Sequence, residues 1–146
     1  RPNPNFRSPG DVPVILIGAG TGMAGLRVHL KYRAQKGRKQ SWLLFGERGP
    51  GDLYYADEIA AWQADGTLAR ADLVFSRGQP ARRYVQHLVA EAGEVVREWV
   101  MTQGAAILVC GGVEMAAGVQ DALAAILGEE MLESMTQDGR YRRDIY

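Results

Sequence analysis

Three segments carry residue types that could do chemistry, and each follows a short apolar run. The first is Gly18-Ala19-Gly20-Thr21-Gly22, which separates Pro13-Val-Ile-Leu-Ile17 from a stretch with helical spacing. Main-chain amides at a helix start attract phosphate, and glycines let an anion approach the backbone closely. A full dinucleotide fingerprint places a third glycine where this chain has Met23. The segment therefore reads equally as a nucleotide loop or as a tight strand–helix turn. The second is Ser76-Arg77-Gly78-Gln79-Pro80-Ala81-Arg82-Arg83-Tyr84-Val85-Gln86-His87, with three arginines, a serine, a tyrosine and no acid. Arginine forks take phosphate oxygens through paired hydrogen bonds, and a tyrosine ring can stack on a base. The plainer alternative is a solvated loop whose arginines cap a helix. A dinucleotide with an extra phosphate, NADPH, would engage both loops at once. The third is Cys110-Gly111-Gly112. A cysteine ending a buried strand commonly serves as a small hydrophobe, and its place at a strand end keeps the functional alternative open.

The surrounding pattern supplies elements to position these segments. Strands are expected at Pro13–Ile17, Ser41–Phe45, Ala71–Phe75 and Ala105–Val109, each a short apolar run bounded by glycine or polar residues. Helical spacing covers Met23–Gln35, Leu53–Ala64, Tyr84–Gln103 and Met115–Leu127, the third carrying one long apolar stripe from Val85 to Val100. Tyr141–Tyr146 has room for a fifth strand at an edge. Continuously apolar strands alternating with amphipathic helices imply a parallel sheet covered on both faces. The expected fold is α/β, a doubly wound, five-stranded, Rossmann-like parallel sheet. Ligands of such sheets bind at the carboxyl ends of the strands, where all three segments fall. Arg1–Val12, with three prolines, two asparagines and a glycine, reads as a linker, leaving 13–146 as the domain.

Composition narrows the function classes. The chain has 146 residues, enough for one core, and 17 basic side chains balance 17 acidic ones, so no net field draws it to nucleic acid or a membrane surface. One cysteine excludes an internal disulfide framework, and His29 and His87 are too few and too far apart to suggest a metal centre. No apolar run reaches membrane-spanning length and no signal-peptide pattern opens the chain. The expectation is a soluble, cytoplasmic single domain.

Taken in order, Gly20-Thr-Gly22, Phe45-Gly46, Asp52-Leu-Tyr54, Ser76-Arg77 with Tyr84-Val-Gln86, Val109-Cys-Gly111 and Arg140-Tyr-Arg-Arg-Asp-Ile-Tyr146 resemble the NADPH-binding domain of diflavin reductases. These belong to the ferredoxin–NADP reductase superfamily, and the likeness is greatest to flavoprotein components of sulfite reductases. Asn3-Pro-Asn-Phe-Arg7 is similar to the family's approach to this domain. The resemblance implies that Ser76, Arg77 and Arg82 hold the 2′-phosphate, Tyr84 stacks on adenine and Gln86 lines the same pocket. It implies that Gly20, Thr21 and Gly22 cradle the pyrophosphate, that Cys110 and Asp144 sit near the nicotinamide, and that Tyr146 covers the flavin ring. It further implies an FAD-binding domain, in cis or in trans, absent from these residues, and a downstream acceptor such as an FMN domain or a haem protein. Without that FAD domain the chain is expected to be inactive. The chain departs from the family pattern at Gly112, usually an acid; at Glu47, often cysteine; and at Met23-Ala24-Gly25, usually Ile-Ala-Pro. Two rival readings are an NADH-using relative, with Glu47 holding the ribose, and a nucleotide-sensing module without redox turnover.

Overall fold

The computed structural model describes residues 11–49, 55–77 and 83–146. Five strands form one all-parallel sheet in the order β3-β2-β1-β4-β5. They are β1 (Val14–Ala19), β2 (Ser41–Glu47), β3 (Leu68–Phe75), β4 (Ala106–Gly111) and β5 (Tyr141–Ile145). The helices are α1 (Met23–Gln35), α2 (Ala56–Ala64), α3 (Val85–Glu91), α4 (Gly93–Met101), α5 (Val113–Leu127) and α6 (Glu129–Gln137), with a single 3-10 turn at Gly20–Gly22. The α/β doubly wound expectation is borne out, including a fifth strand at the edge.

Successive side chains of the central strands go to opposite faces, and both faces are dry. Val14, Leu16, Leu43, Phe45, Ala106, Leu108 and Cys110 meet α1 and α2 through Leu26, Leu30, Ile59 and Trp62. Ile15, Ile17, Trp42, Leu44, Ile107 and Val109 meet the helices from α3 to α6. This two-sided burial is why the middles of β1, β2 and β4 are continuously apolar rather than alternating. The edge strands are mixed. On β3, Asp72 accepts the buried Trp42 indole N–H at 2.7 Å and the Arg70 guanidinium at 2.8 Å. Asp72→Ala would orphan that fully buried N–H. The expected cost is about 1–3 kcal/mol, read as a lower urea midpoint; an unchanged midpoint would show that the indole needs no partner.

Three sequence expectations are corrected. The single helix over Tyr84–Gln103 is two helices that meet at Ala92, which closes α3 and opens α4 at φ −93° and ψ 19°. The break lets Gly93 approach α5, where an added Cβ would lie 3.3 Å from Ile126. Helix α6 was not expected; only Leu132 and Met135 of its nine residues are buried, too few to make a stripe. The strands β1, β2 and β4 run two residues past their expected ends, and β3 begins three earlier. Residues 53 and 54 of the expected second helix, and most of the Arg1–Val12 linker, lie outside the described residues. Among the described residues, no helix is long and apolar enough to cross a membrane.

The first strand, β1, lies in the middle of the sheet; the order then runs outward through β2 and β3 and returns beside β1 to β4 and β5. The direction of winding therefore reverses between β1 and β4. A crevice opens at such a reversal, at the carboxyl ends of the two strands.

Candidate functional site

The turn after β1 is built around that crevice. A Cβ on Gly22 would lie 2.1 Å from the Cys110 carbonyl oxygen at the end of β4. Glycine is thus needed there for close approach of two backbones. Gly20 has φ +56° and open space around its Cα, so it supplies the left-handed turn that presents the loop outward. Gly22 caps α1 without a side-chain hydrogen bond, and the first turn of that helix holds no acid. Met23, in the slot where the fingerprint has its third glycine, is buried in the α1-side core.

Across the crevice, register pairs Cys110 of β4 with Asp144 of β5, and the Tyr146 N–H donates to the Gly111 carbonyl at 3.1 Å. The Tyr146 hydroxyl returns over the β1 turn to a hydrogen bond with the Thr21 hydroxyl at 3.1 Å. The Cys110 thiol is buried, and loss of water together with the Asp144 charge pushes its pKa up to about 11, against smaller opposing effects of hydrogen bonds from Tyr146 and the Gly25 main chain. The Tyr146 hydroxyl is raised too, chiefly by lost hydration at its inner end, although the residue as a whole is 59% exposed. At neutral pH the crevice therefore carries a protonated thiol, a protonated phenol and a threonine hydroxyl.

The second half of the edge lies over β2 and β3. The N–H of Ser76 donates to Glu47 at 2.9 Å and that of Arg77 to Arg48 at 2.8 Å, which carries the β2–β3 pairing beyond the strands. Tyr84 caps α3; its N–H donates to His87 Nδ1 at 2.8 Å, and its ring, 41% exposed, stands 5.9 Å from the His87 ring. The first turn of α3 rests on β2, where a Cβ on Gly46 would be 3.4 Å from Val85. Gln86 presses its amide against α5, with a Cβ on Gly118 reaching only 3.0 Å from it. Its Oε1 is buried without a hydrogen-bond partner among the described residues.

Sequence-derived candidates thus fall into two groups at one sheet edge. Thr21, Gly22, Cys110, Asp144 and Tyr146 meet over β1, β4 and β5. Ser76, Arg77, Tyr84 and Gln86 stand at β3 and α3, and Arg82 lies outside the described residues. Arg83, from the same basic loop, is committed to an ion pair with Glu91. Sequence reasoning passed over Arg48, whose only signal was its place just beyond a strand.

Comparison with known proteins points to one family. The family model of the oxidoreductase NAD-binding domain matches residues 16–121. The sulfite reductase [NADPH] flavoprotein alpha-component of Shewanella oneidensis is 38% identical over 99% of this chain and 26% of that protein. Those of Sodalis glossinidius and Bacillus subtilis are 39% and 35% identical, with the same coverage of each chain. The chain spans about a quarter of the length of these curated relatives. The family resemblance in the sequence is borne out: the chain belongs to the oxidoreductase NAD-binding domain family.

Proposed function

We propose that this domain binds NADPH along the carboxyl edge of its sheet and presents the nicotinamide to an FAD held by another domain, in cis or in trans. The observation that carries the reading is the meeting of Thr21, Cys110 and Tyr146 over the β1–β4 crevice, in line with an arginine-bearing β2–β3 end. The residues fit a dinucleotide. An open glycine turn faces a helix start free of acids and of side-chain caps, which suits a diphosphate. The names of the relatives specify NADPH and a flavoprotein.

When bound, NADPH supplies a hydride. The chain's own part is binding and orientation. Amides of Gly20, Thr21 and Gly22 hold the diphosphate. Ser76 and Arg77, with Arg82, hold the 2′-phosphate. Tyr84 stacks on adenine, and Gln86, in the first turn of α3, lines the same pocket. Cys110, kept protonated, and Asp144 border the nicotinamide, while Tyr146 shields the flavin ring. In the whole protein, electrons pass on to an FMN domain or a haem protein.

The test is calorimetric titration with 2′,5′-ADP and 5′-AMP. A charge-assisted hydrogen bond contributes about 1.5–3 kcal/mol, so the extra phosphate is expected to tighten binding about tenfold to a hundredfold. Arg77→Ala is expected to lose most of that preference and keep its melting temperature, because the side chain is exposed. Equal affinities in the unaltered chain would sink the NADPH reading. An NADH-type ribose contact from Glu47 is disfavoured, since its carboxylate accepts the Arg48 N–H at 3.0 Å.

A further inference from the structure

The arginines of this chain differ sharply in what their side chains do. Four of the described ones are ion-paired, with Glu58, Asp11, Asp72 and Glu91. Four donate to a hydroxyl or to main-chain carbonyls. Arg143 lies over the Tyr141 ring at 5.8 Å. Among the described residues only Arg48 and Arg77 make none of these contacts, and both are exposed. They are also neighbours. The Arg77 N–H donates to the Arg48 carbonyl at 2.8 Å, so the two stand side by side where β2 and β3 leave the sheet.

Two exposed arginines on adjacent strand ends gain nothing from each other, and among the described residues neither is ion-paired with an acid. An anion between them changes the balance. A phosphate monoester carries nearly two negative charges at neutral pH and three terminal oxygens, enough for a fork from each side. The neighbouring acid does not compete, because Glu47 turns its carboxylate to the Arg48 amide rather than to either guanidinium.

Resting on the NADPH reading above, we infer that Arg48 is a specificity-determining residue: with Arg77 it clamps the 2′-phosphate of the nucleotide from the β2 side. This divides the work between two strand ends. The clamp selects the phosphorylated ribose, while the glycine turn after β1 takes the diphosphate common to both nucleotides.

The experiment titrates the full chain with 2′,5′-ADP and with 5′-AMP, in the unaltered protein and in Arg48→Gln, Arg48→Lys and Arg77→Ala. Arg48→Gln is expected to weaken 2′,5′-ADP about tenfold and leave 5′-AMP within about twofold. Arg48→Lys, which keeps the charge and loses the fork, is expected to fall between. A melting curve for each variant separates binding from folding. Equal losses for both ligands, or no loss in Arg48→Gln while Arg77→Ala loses its preference, would overturn the assignment and leave the NADPH reading standing. If the unaltered chain does not distinguish the two ligands, the NADPH reading itself fails.

Discussion

Gly22→Ala is expected to be among the most damaging single substitutions in this chain. Gly22 has φ −60° and ψ −19°, a conformation open to any residue, so the demand is one of space rather than of backbone freedom. The added Cβ would lie 2.1 Å from the Cys110 oxygen, 2.8 Å from its carbonyl carbon and 3.3 Å from the Gly111 Cα. All three are main-chain atoms of a central strand, and none can swing aside as a flexible side chain would. Relief requires moving the whole turn away from β4, which breaks the packing of Met23 and Leu26 beneath it. The expected loss is about 4 kcal/mol, the upper end for single substitutions, or a melting temperature lower by roughly 10 °C. Gly20→Ala, two residues away, makes a sharp contrast. That site has φ +56° but no atom within 4 Å of the new Cβ, so only left-handed backbone strain of about 1–2 kcal/mol applies. Thermal melts of the two variants test the pair. If Gly22→Ala melts with the unaltered chain, the turn does not rest on β4 and the crevice has another shape.

The same contrast shows what the amino-acid order could convey. Continuous apolar runs announce strands buried on both faces, and α1 was legible from Met23 to Gln35 because its apolar spacing is uninterrupted. The division of the Tyr84–Gln103 stripe was not legible. Its apolar spacing continues unbroken through Ala92, and the break falls beside Gly93, where the backbone closes on Ile126 far along the chain. Site residues were legible to the extent that they follow strands, since parallel strands bring all their carboxyl ends to one edge. Contacts across that edge were not. Thr21 and Tyr146 meet over a separation of 125 residues. Met23 illustrates a different limit: an apparent defect in the glycine fingerprint is a core side chain, because the turn at Gly22 already makes the close approach.

Stability is expected to fall steeply as the pH rises above 9, and Cys110 is the largest identified source. Its thiol titrates near 9.0 when unfolded and near 11 in the fold. Burial is the main cause and the Asp144 charge adds to it, since both penalise the thiolate. Between those values the folded chain holds a proton that the unfolded chain has released, so raising the pH favours unfolding. The contribution is fully present below pH 9 and is lost by the time the pH passes 11. Two units correspond to about 2–3 kcal/mol. Tyr141, also raised mainly by burial, acts in the same direction, so some slope remains without the thiol. Urea midpoints measured from pH 8 to pH 11 are expected to fall by this amount in the unaltered chain and by clearly less in Cys110→Ala. The cavity that this substitution leaves lowers every midpoint equally, so it does not alter the slope. An identical slope in the two proteins would mean that the thiol is hydrated and that the crevice is open to water at β4. A flat profile in Cys110→Ala would instead make the thiol the sole alkaline switch. The intermediate slope leaves Cys110 protonated, and so uncharged, throughout the neutral range.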